Sequence, residues 1–159
     1  MADNPRGEAP ASLDLRLQAQ AAFAPFLRER LHIWLERAGA TTTETFAVVL
    51  ATSEAFANAI EHPQEPTSHL VDVIGAITDH TVTISVRDYG TWNSDQTRKE
   101  DGGLGFVIME ELMNGVQVER LASGTTVTIR KKLATEPYED GTVVTMQRRL
   151  TREVGRSVS

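Results

Sequence analysis

One pair of polar residues has the spacing needed to hold a charged ligand. Glu54 and Asn58 lie four residues apart in a segment of helical periodicity, so both project from the same side of a helix, one turn apart. An amide oxygen together with ligand phosphates suits magnesium, and the neighbouring carboxylate is then free to act as a base. The same spacing is common on an ordinary solvated helix flank, and the pair alone leaves that alternative open.

A second candidate is Asp88, at the end of a strand-like run. The alternating apolar row that precedes it ends in this carboxylate, just before Gly90; its members are Val82, Ile84 and Val86. A carboxylate at the mouth of a cleft can accept a hydrogen bond from an exocyclic amine such as that of adenine. Gly90 would let a base approach closely. The alternative is an aspartate that caps a turn.

The third candidate is the turn from Gly102 to Gly105, which opens a helical segment. Helix N-termini present free N–H groups, and glycines let phosphate oxygens approach them. The turn lacks the Lys and Ser/Thr of a Walker loop and the glycine pattern of a dinucleotide fold. Residues 91–101 include Arg98 and Lys99, as expected of a mobile lid. A flexible glycine loop and an ordinary surface loop are the alternatives.

The elements that must position these residues follow from the hydrophobic periodicity. We predict the order βααββαββ, with strands near 13–17, 69–78, 81–88, 115–121 and 125–133 and helices near 23–38, 42–62 and 104–113. In the second helix we expect one apolar stripe: Phe46, Val49, Leu50, Ser53, Ala57 and Ile60. Paired helices and paired strands favour an α+β fold, a two-layer sandwich with a mostly antiparallel sheet and helices on one face.

Composition narrows the function further. The 159 residues carry 16 basic and 22 acidic side chains, net charge −6, so no large basic face is available for direct binding of nucleic acid. The chain has no cysteine, no membrane-length apolar stretch and no signal-peptide pattern, so we expect a cytoplasmic protein with no membrane contact. We expect a flexible leader at 1–12, one domain at 13–133, and a tail or interdomain linker at 134–159 with a short strand at 142–146.

Taken in order, four segments resemble a known family. They are Glu54 to Ile60, Asp88 to Gly90, Gly103 to Met113 and Gly124 to Val127. This set resembles the ATP-binding fold (the Bergerat fold) shared by gyrase, the Hsp90 chaperone, histidine kinases and the mismatch-repair protein MutL. Within it, the best match is the family of short anti-sigma factor serine/threonine-protein kinases. The resemblance covers about residues 13–133.

The resemblance implies a role for each motif residue. Glu54 would be the general base for a protein serine hydroxyl, Asn58 the magnesium ligand and Asp88 the residue that binds the adenine amine. Gly90 would line the base pocket. The turn Gly103-Leu104-Gly105 would contact the phosphates, and Thr125 would lie beside Asp88. The phase of the last strand agrees, because Thr125, Val127 and Ile129 share one face.

The resemblance further implies a kinase that uses ATP and Mg²⁺, phosphorylates an anti-anti-sigma factor of the STAS type, sequesters a sigma factor and forms a homodimer. Trp92 replaces the second glycine of the family's DxGxG turn, and Asp101 stands where some members carry an arginine. Those departures leave open a module that uses ATP only as a structural ligand and acts by sequestration. A histidine kinase domain is disfavoured, because no helix pair with a phosphoacceptor histidine is visible.

Overall fold

The computed structural model describes residues 12–61, 68–90 and 103–134. Three predicted segments lie outside these ranges: almost all of the expected leader, the expected lid, and all but the first residue of the expected tail. The lid includes Trp92, Arg98, Lys99 and Asp101. The strand predicted at 142–146 also lies outside these ranges.

The described chain is an α+β sandwich with the predicted order of elements. The strands are β1 (Leu13–Gln18), β2 (Leu70–Thr78), β3 (Thr81–Arg87), β4 (Gly115–Leu121) and β5 (Gly124–Lys132). The helices are α1 (Ala24–Arg37), which follows a 3₁₀ turn at Ala21–Phe23, α2 (Thr42–Glu61) and α3 (Leu104–Leu112). Among the described residues, no helix is both long and apolar enough to cross a membrane.

All five strands form one antiparallel sheet in the order β1-β2-β3-β5-β4. The β2–β3 hairpin closes through Asp79 and His80, both with positive φ, as a two-residue turn between twisted strands requires. The inner row predicted for β3 is confirmed, because Val82, Ile84 and Val86 are all buried. β5 lies between β3 and β4. Because β5 pairs with β3 in the antiparallel direction, its first residues lie next to the last residues of β3.

Local signals in the sequence define where α1 ends and α2 begins. Gly39, at φ +85°, and Ala40 donate backbone hydrogen bonds back to Glu36 and Leu35, which ends α1 in the manner typical of glycine. Thr41 Oγ1 then accepts from the backbone N–H of Glu44 at 3.1 Å, and Glu44 Oε1 accepts from that of Thr41 at 2.9 Å. This reciprocal cap contributes about 1 kcal/mol to the start of α2.

The buried face of α2 differs from the predicted stripe. Phe46 is 61% exposed, and Leu50, Ser53, Ala57 and Ile60 are only partly buried. Apart from Val49, which the stripe included, the helix buries a different and broader surface of mostly small or branched side chains together with Phe56: Thr45, Ala47, Val48, Val49, Ala51, Thr52, Ala55, Phe56 and Ala59. The reason is that α2 packs against α1, α3 and the sheet at once. Small side chains let three neighbours approach closely, whereas a stripe of large residues suits one.

Trp34 anchors α1 to the sheet above a glycine. A Cβ on Gly75, in the middle of β2, would lie 2.7 Å from Trp34 Cη2 and 3.1 Å from Cζ3. The indole is 7% exposed and therefore has little room to move. Gly75 is thus the residue that lets α1 pack directly on the strand.

Candidate functional site

The structure brings Glu54 of α2 into contact with Gly105, in the first turn of α3. A Cβ on Gly105 would lie 2.7 Å from Glu54 Oε1, 3.7 Å from Cδ and 3.8 Å from Cβ. Any larger residue at 105 would displace the carboxylate. Glu54 and Gly105, which lie far apart in the sequence, are therefore neighbours. The carboxylate fits there because residue 105 has no side chain.

Asn58 follows one helical turn after Glu54 and is partly buried, like Glu54 itself. Ala55 and Ala59, on the adjacent face, are fully packed into the core. The pair therefore lies at the margin of the buried face of α2.

The N-terminus of α3 has the open geometry expected of an anion site. Gly103 is the N-cap residue, in an extended conformation and with no side-chain cap. The first helical bonds run from the N–H groups of Phe106 and Val107 to the Gly103 carbonyl. The N–H groups of Leu104 and Gly105 precede these bonds and have no acceptor within the helix. A Cβ on Gly103 would meet nothing within 4 Å, and the Leu104 side chain is 74% exposed.

Asp88 is held in a tight backbone frame where β3 meets β5. Its N–H donates to the Thr125 carbonyl at 3.0 Å, and its Oδ1 accepts from the N–H groups of Gly90 at 3.0 Å and Thr125 at 3.4 Å. The predicted proximity of Thr125 to Asp88 is confirmed as geometry. Gly124 makes it possible, because its φ is +147° and a Cβ there would lie 2.1 Å from the Asp88 carbonyl oxygen.

The electrostatics of Asp88 reflect partial burial. Desolvation raises the pKa of this carboxyl above its ordinary value, while the Gly90 and Thr125 N–H groups and the charge of Arg87 oppose that shift. Oδ1 accepts both of these backbone bonds. A half-buried carboxylate of this kind gains from an added hydrogen-bond donor such as an exocyclic amine.

Chain direction brings these parts to one end of the sheet. Glu44 Oε2, near the start of α2, accepts from the backbone N–H of Ala134 at 2.7 Å, so α2 begins beside the end of β5. α2 then runs over β5 and β3 for about 21 Å before it reaches Asn58, while β5 extends back about 30 Å to Thr125. The second half of α2 therefore lies toward the end of the sheet that carries Thr125 and Asp88. The contact of Glu54 with Gly105 directs the start of α3 to the same end.

These residues fit a magnesium nucleotide better than a metal alone. In the described parts of the chain, no group of three or more His, Cys, Asp or Glu side chains could hold a metal ion. Magnesium bound through few protein ligands and several phosphate oxygens needs no such cluster. The Asn58 amide oxygen, the backbone N–H groups at 104 and 105 and the half-buried Asp88 carboxylate are chemically suited to magnesium, phosphate oxygens and a purine amine, respectively.

A cavity of about 610 Å³ lies between α1 and α2 and reaches Glu54. Its lining includes Arg28 and His32 of α1 and Phe46 and Leu50 of α2. Among the described residues, the candidates for adenine and phosphate contact are not part of its lining. Sequence periodicity missed this cavity because it assigned Phe46 and Leu50 to the core.

The fold and the site define an ATPase domain of the histidine kinase-like type. The sequence model of the histidine kinase-like ATPase domain family matches residues 17–131, and the chain belongs to this family. Family membership supports the expected use of ATP.

Individual relatives within this family are anti-sigma factors and serine-protein kinases. The chain is 32% identical over 136 residues to the anti-sigma F factor of Heyndrickxia coagulans, covering 77% of this chain and 92% of that protein. It is 26% identical over 141 residues to the serine-protein kinase RsbW of Staphylococcus aureus, covering 78% and 88%. The resemblance to anti-sigma factor serine kinases, and with it the expected enzyme class, is confirmed.

A solved structure agrees with the fold. The RsbU and RsbW domains of Rv1364c from Mycobacterium tuberculosis superpose with a TM-score of 0.65 at 29% identity, over 79% of this chain. This chain spans about a third of that one, 33%. The expected two-layer α+β fold is confirmed.

Proposed function

We propose that this protein is a serine kinase that uses ATP with Mg²⁺, phosphorylates an anti-anti-sigma factor of the STAS type and sequesters a sigma factor. The observation that carries the proposal is the contact of the Glu54 carboxylate with Gly105 at the open N-terminus of α3. A carboxylate beside helix amides that suit phosphates supports the proposed role of Glu54 as a general base. The anti-sigma and kinase names of the relatives support the choice of partners. The expected homodimer stays a prediction.

In this mechanism the chain's own residues position the reactants. Asp88 accepts a hydrogen bond from the adenine amine, and the amides at the start of α3 hold the phosphate oxygens. Glu54 accepts the proton of the substrate serine hydroxyl as its oxygen attacks the γ-phosphorus and the ADP oxygen leaves. Asn58 would hold magnesium, which when bound would supply positive charge to offset the negative charge of the transferred group.

Transfer of label from γ-labelled ATP to a candidate antagonist tests the role of Glu54. We expect Glu54→Gln to lower the transfer rate by about 10²- to 10⁴-fold, the usual contribution of a general base, with ATP affinity nearly unchanged. Glu61→Gln, at the exposed end of the same helix, is the matched control and should behave as wild type. Equal transfer rates in all three proteins would show that Glu54 is not the general base. If wild type binds ATP and its protein partner but transfers no label, the sequestration-only module is the correct function.

Calorimetry with ATP and magnesium tests the nucleotide site separately. We expect Asp88→Asn to weaken ATP binding by at least about tenfold, because an amide presents an N–H donor where the adenine amine needs an acceptor. Asp14→Asn, on the exposed side of β1, is the control. Unchanged affinity in Asp88→Asn would show that Asp88 does not bind adenine.

A further inference from the structure

A side-chain network on the outer face of the sheet connects β1 and β2 to the Asp88 turn. Arg16 Nε and Nη2 donate to the two carboxylate oxygens of Asp72, at 2.6 and 2.9 Å. The Tyr89 hydroxyl donates to Asp72 Oδ2. Asp72 therefore links a residue 56 positions away on β1 with a residue that lies between Asp88 and Gly90.

The aromatic ring of Tyr89 is held as well as its hydroxyl. The Arg87 guanidinium carbon lies 4.8 Å from the ring centroid, a cation–π geometry. Arg87 and Tyr89 are two residues apart and share the outer face, and Arg87 pairs with Asp72 in the β2–β3 register. The ring and the hydroxyl are thus fixed by two different strands.

The protonation states keep this network intact at neutral pH. The Arg16 hydrogen bond lowers the pKa of the Asp72 carboxyl, so Asp72 stays ionised. The hydrogen bond to Asp72 raises the pKa of the Tyr89 hydroxyl, so Tyr89 keeps the proton that it donates. Charge-assisted bonds of this kind are stronger than neutral ones.

We propose that Tyr89, held by Asp72 and Arg16 on the outer face, is a positioning residue that fixes the Asp88 carboxylate for the adenine amine on the inner face. Alternation along the extended backbone turns Asp88 inward and Tyr89 outward. The turn is then held on both faces of the sheet. On the inner face Asp88 accepts from Gly90 and Thr125, and on the outer face Tyr89 donates to Asp72. This inference rests on the proposed binding of adenine by Asp88 and adds a specificity determinant outside the site.

The competing explanation is that the network serves only stability. An ion pair whose arginine side chain is 61% exposed contributes little to folding. The stability explanation therefore predicts a small loss that is the same for every ligand, whereas positioning predicts a loss that depends on the exocyclic amine.

The experiment uses Tyr89→Phe, which keeps the ring and removes the hydroxyl. Its Kd is measured by calorimetry for ATP with magnesium and for purine riboside triphosphate, which lacks the 6-amino group, and its melting temperature is recorded. We expect the ATP Kd to rise about threefold to tenfold, the effect of one hydrogen bond, and that of the analogue to change less than about twofold. Ser85→Ala, which removes another hydroxyl from the outer face of β3, should bind both ligands as wild type does.

Each other outcome overturns the inference. Equal weakening for both ligands means that Tyr89 acts only on general stability, and no weakening means that the hydroxyl does not position the turn. If wild type itself binds ATP no better than the analogue, the proposed contact of Asp88 with the adenine amine fails, and the inference fails with it. Only that last result counts against the proposed function.

Discussion

Replacement of Gly105 by alanine tests whether the position of Glu54 matters, without altering Glu54. The new Cβ would lie 2.7 Å from Glu54 Oε1, and ordinary contact begins near 3.4 Å, so the carboxylate must move by about 0.7 Å. Because the obstacle is the end of a flexible side chain, the fold can absorb this movement. Alanine is also the better helix former by up to about 1 kcal/mol, so we expect little change in stability.

Catalysis should respond much more strongly than stability. A displacement of about 1 Å in a reacting group costs on the order of 10²-fold in rate, so Gly105→Ala should lower kcat by roughly 10- to 100-fold. The assay is transfer of labelled phosphate to the antagonist at saturating ATP, which removes any effect of weaker nucleotide binding. Melting temperature, measured on the same samples, separates misfolding from misplacement.

Gly115→Ala is the matched control for this experiment. It adds the same methyl group at the start of β4, outside the candidate site, where a Cβ would have only Arg130 Nη1 nearby, at 4.0 Å. We expect its kcat to stay within about threefold of wild type, because substitutions away from a site that leave packing intact have small effects. An equal loss in both variants, or no loss in Gly105→Ala while Glu54→Gln is impaired, would refute the reasoning.

Three further predictions concern stability. Gly124→Ala should lower the free energy of unfolding by about 2 kcal/mol or more, because its φ of +147° and a Cβ 2.1 Å from the Asp88 carbonyl force the backbone to move; an unchanged denaturation midpoint would contradict this. Gly75→Ala should lower the free energy of unfolding by about 1–3 kcal/mol, because the added methyl group overpacks against Trp34. In a double-mutant cycle, Trp34→Phe should restore part of that loss. If the effects of the two substitutions on the free energy of unfolding simply add, the two residues are not in contact. Since burial raises the folded-state pKa of Asp88, its contribution to stability is full below the ordinary value of about 3.9 and declines as pH rises through the raised value. The stability of Asp88→Asn relative to wild type should therefore increase as the pH rises above about 4, and parallel pH curves would show that the shift is absent.

Much of the local structure was predictable from the sequence because its signals act over a few residues. The cap formed by Thr41 and Glu44, the glycine at 39 and the alternating row of β3 each specify an element or its end. The turn at Asp79 and His80 was predictable for the same reason, since a two-residue connection between two alternating runs admits few conformations. The order of the elements followed.

The core face of α2 was not predictable in the same way. Periodicity selected the stripe that contains Phe46 and Leu50. The structure buries the alanine-rich side instead, since α1, α3 and the sheet all approach it. Which side of a helix is buried depends on how many neighbours it has, and that number is set by tertiary packing.

The sequence by itself determined which residues are available for chemistry and in what order, because type and spacing are local properties. Only the tertiary structure decided that Glu54 meets Gly105 and that Tyr89 meets Asp72 across the sheet. Those contacts join segments 51 and 17 residues apart, and they depend on strand order and helix direction, which no short-range pattern encodes.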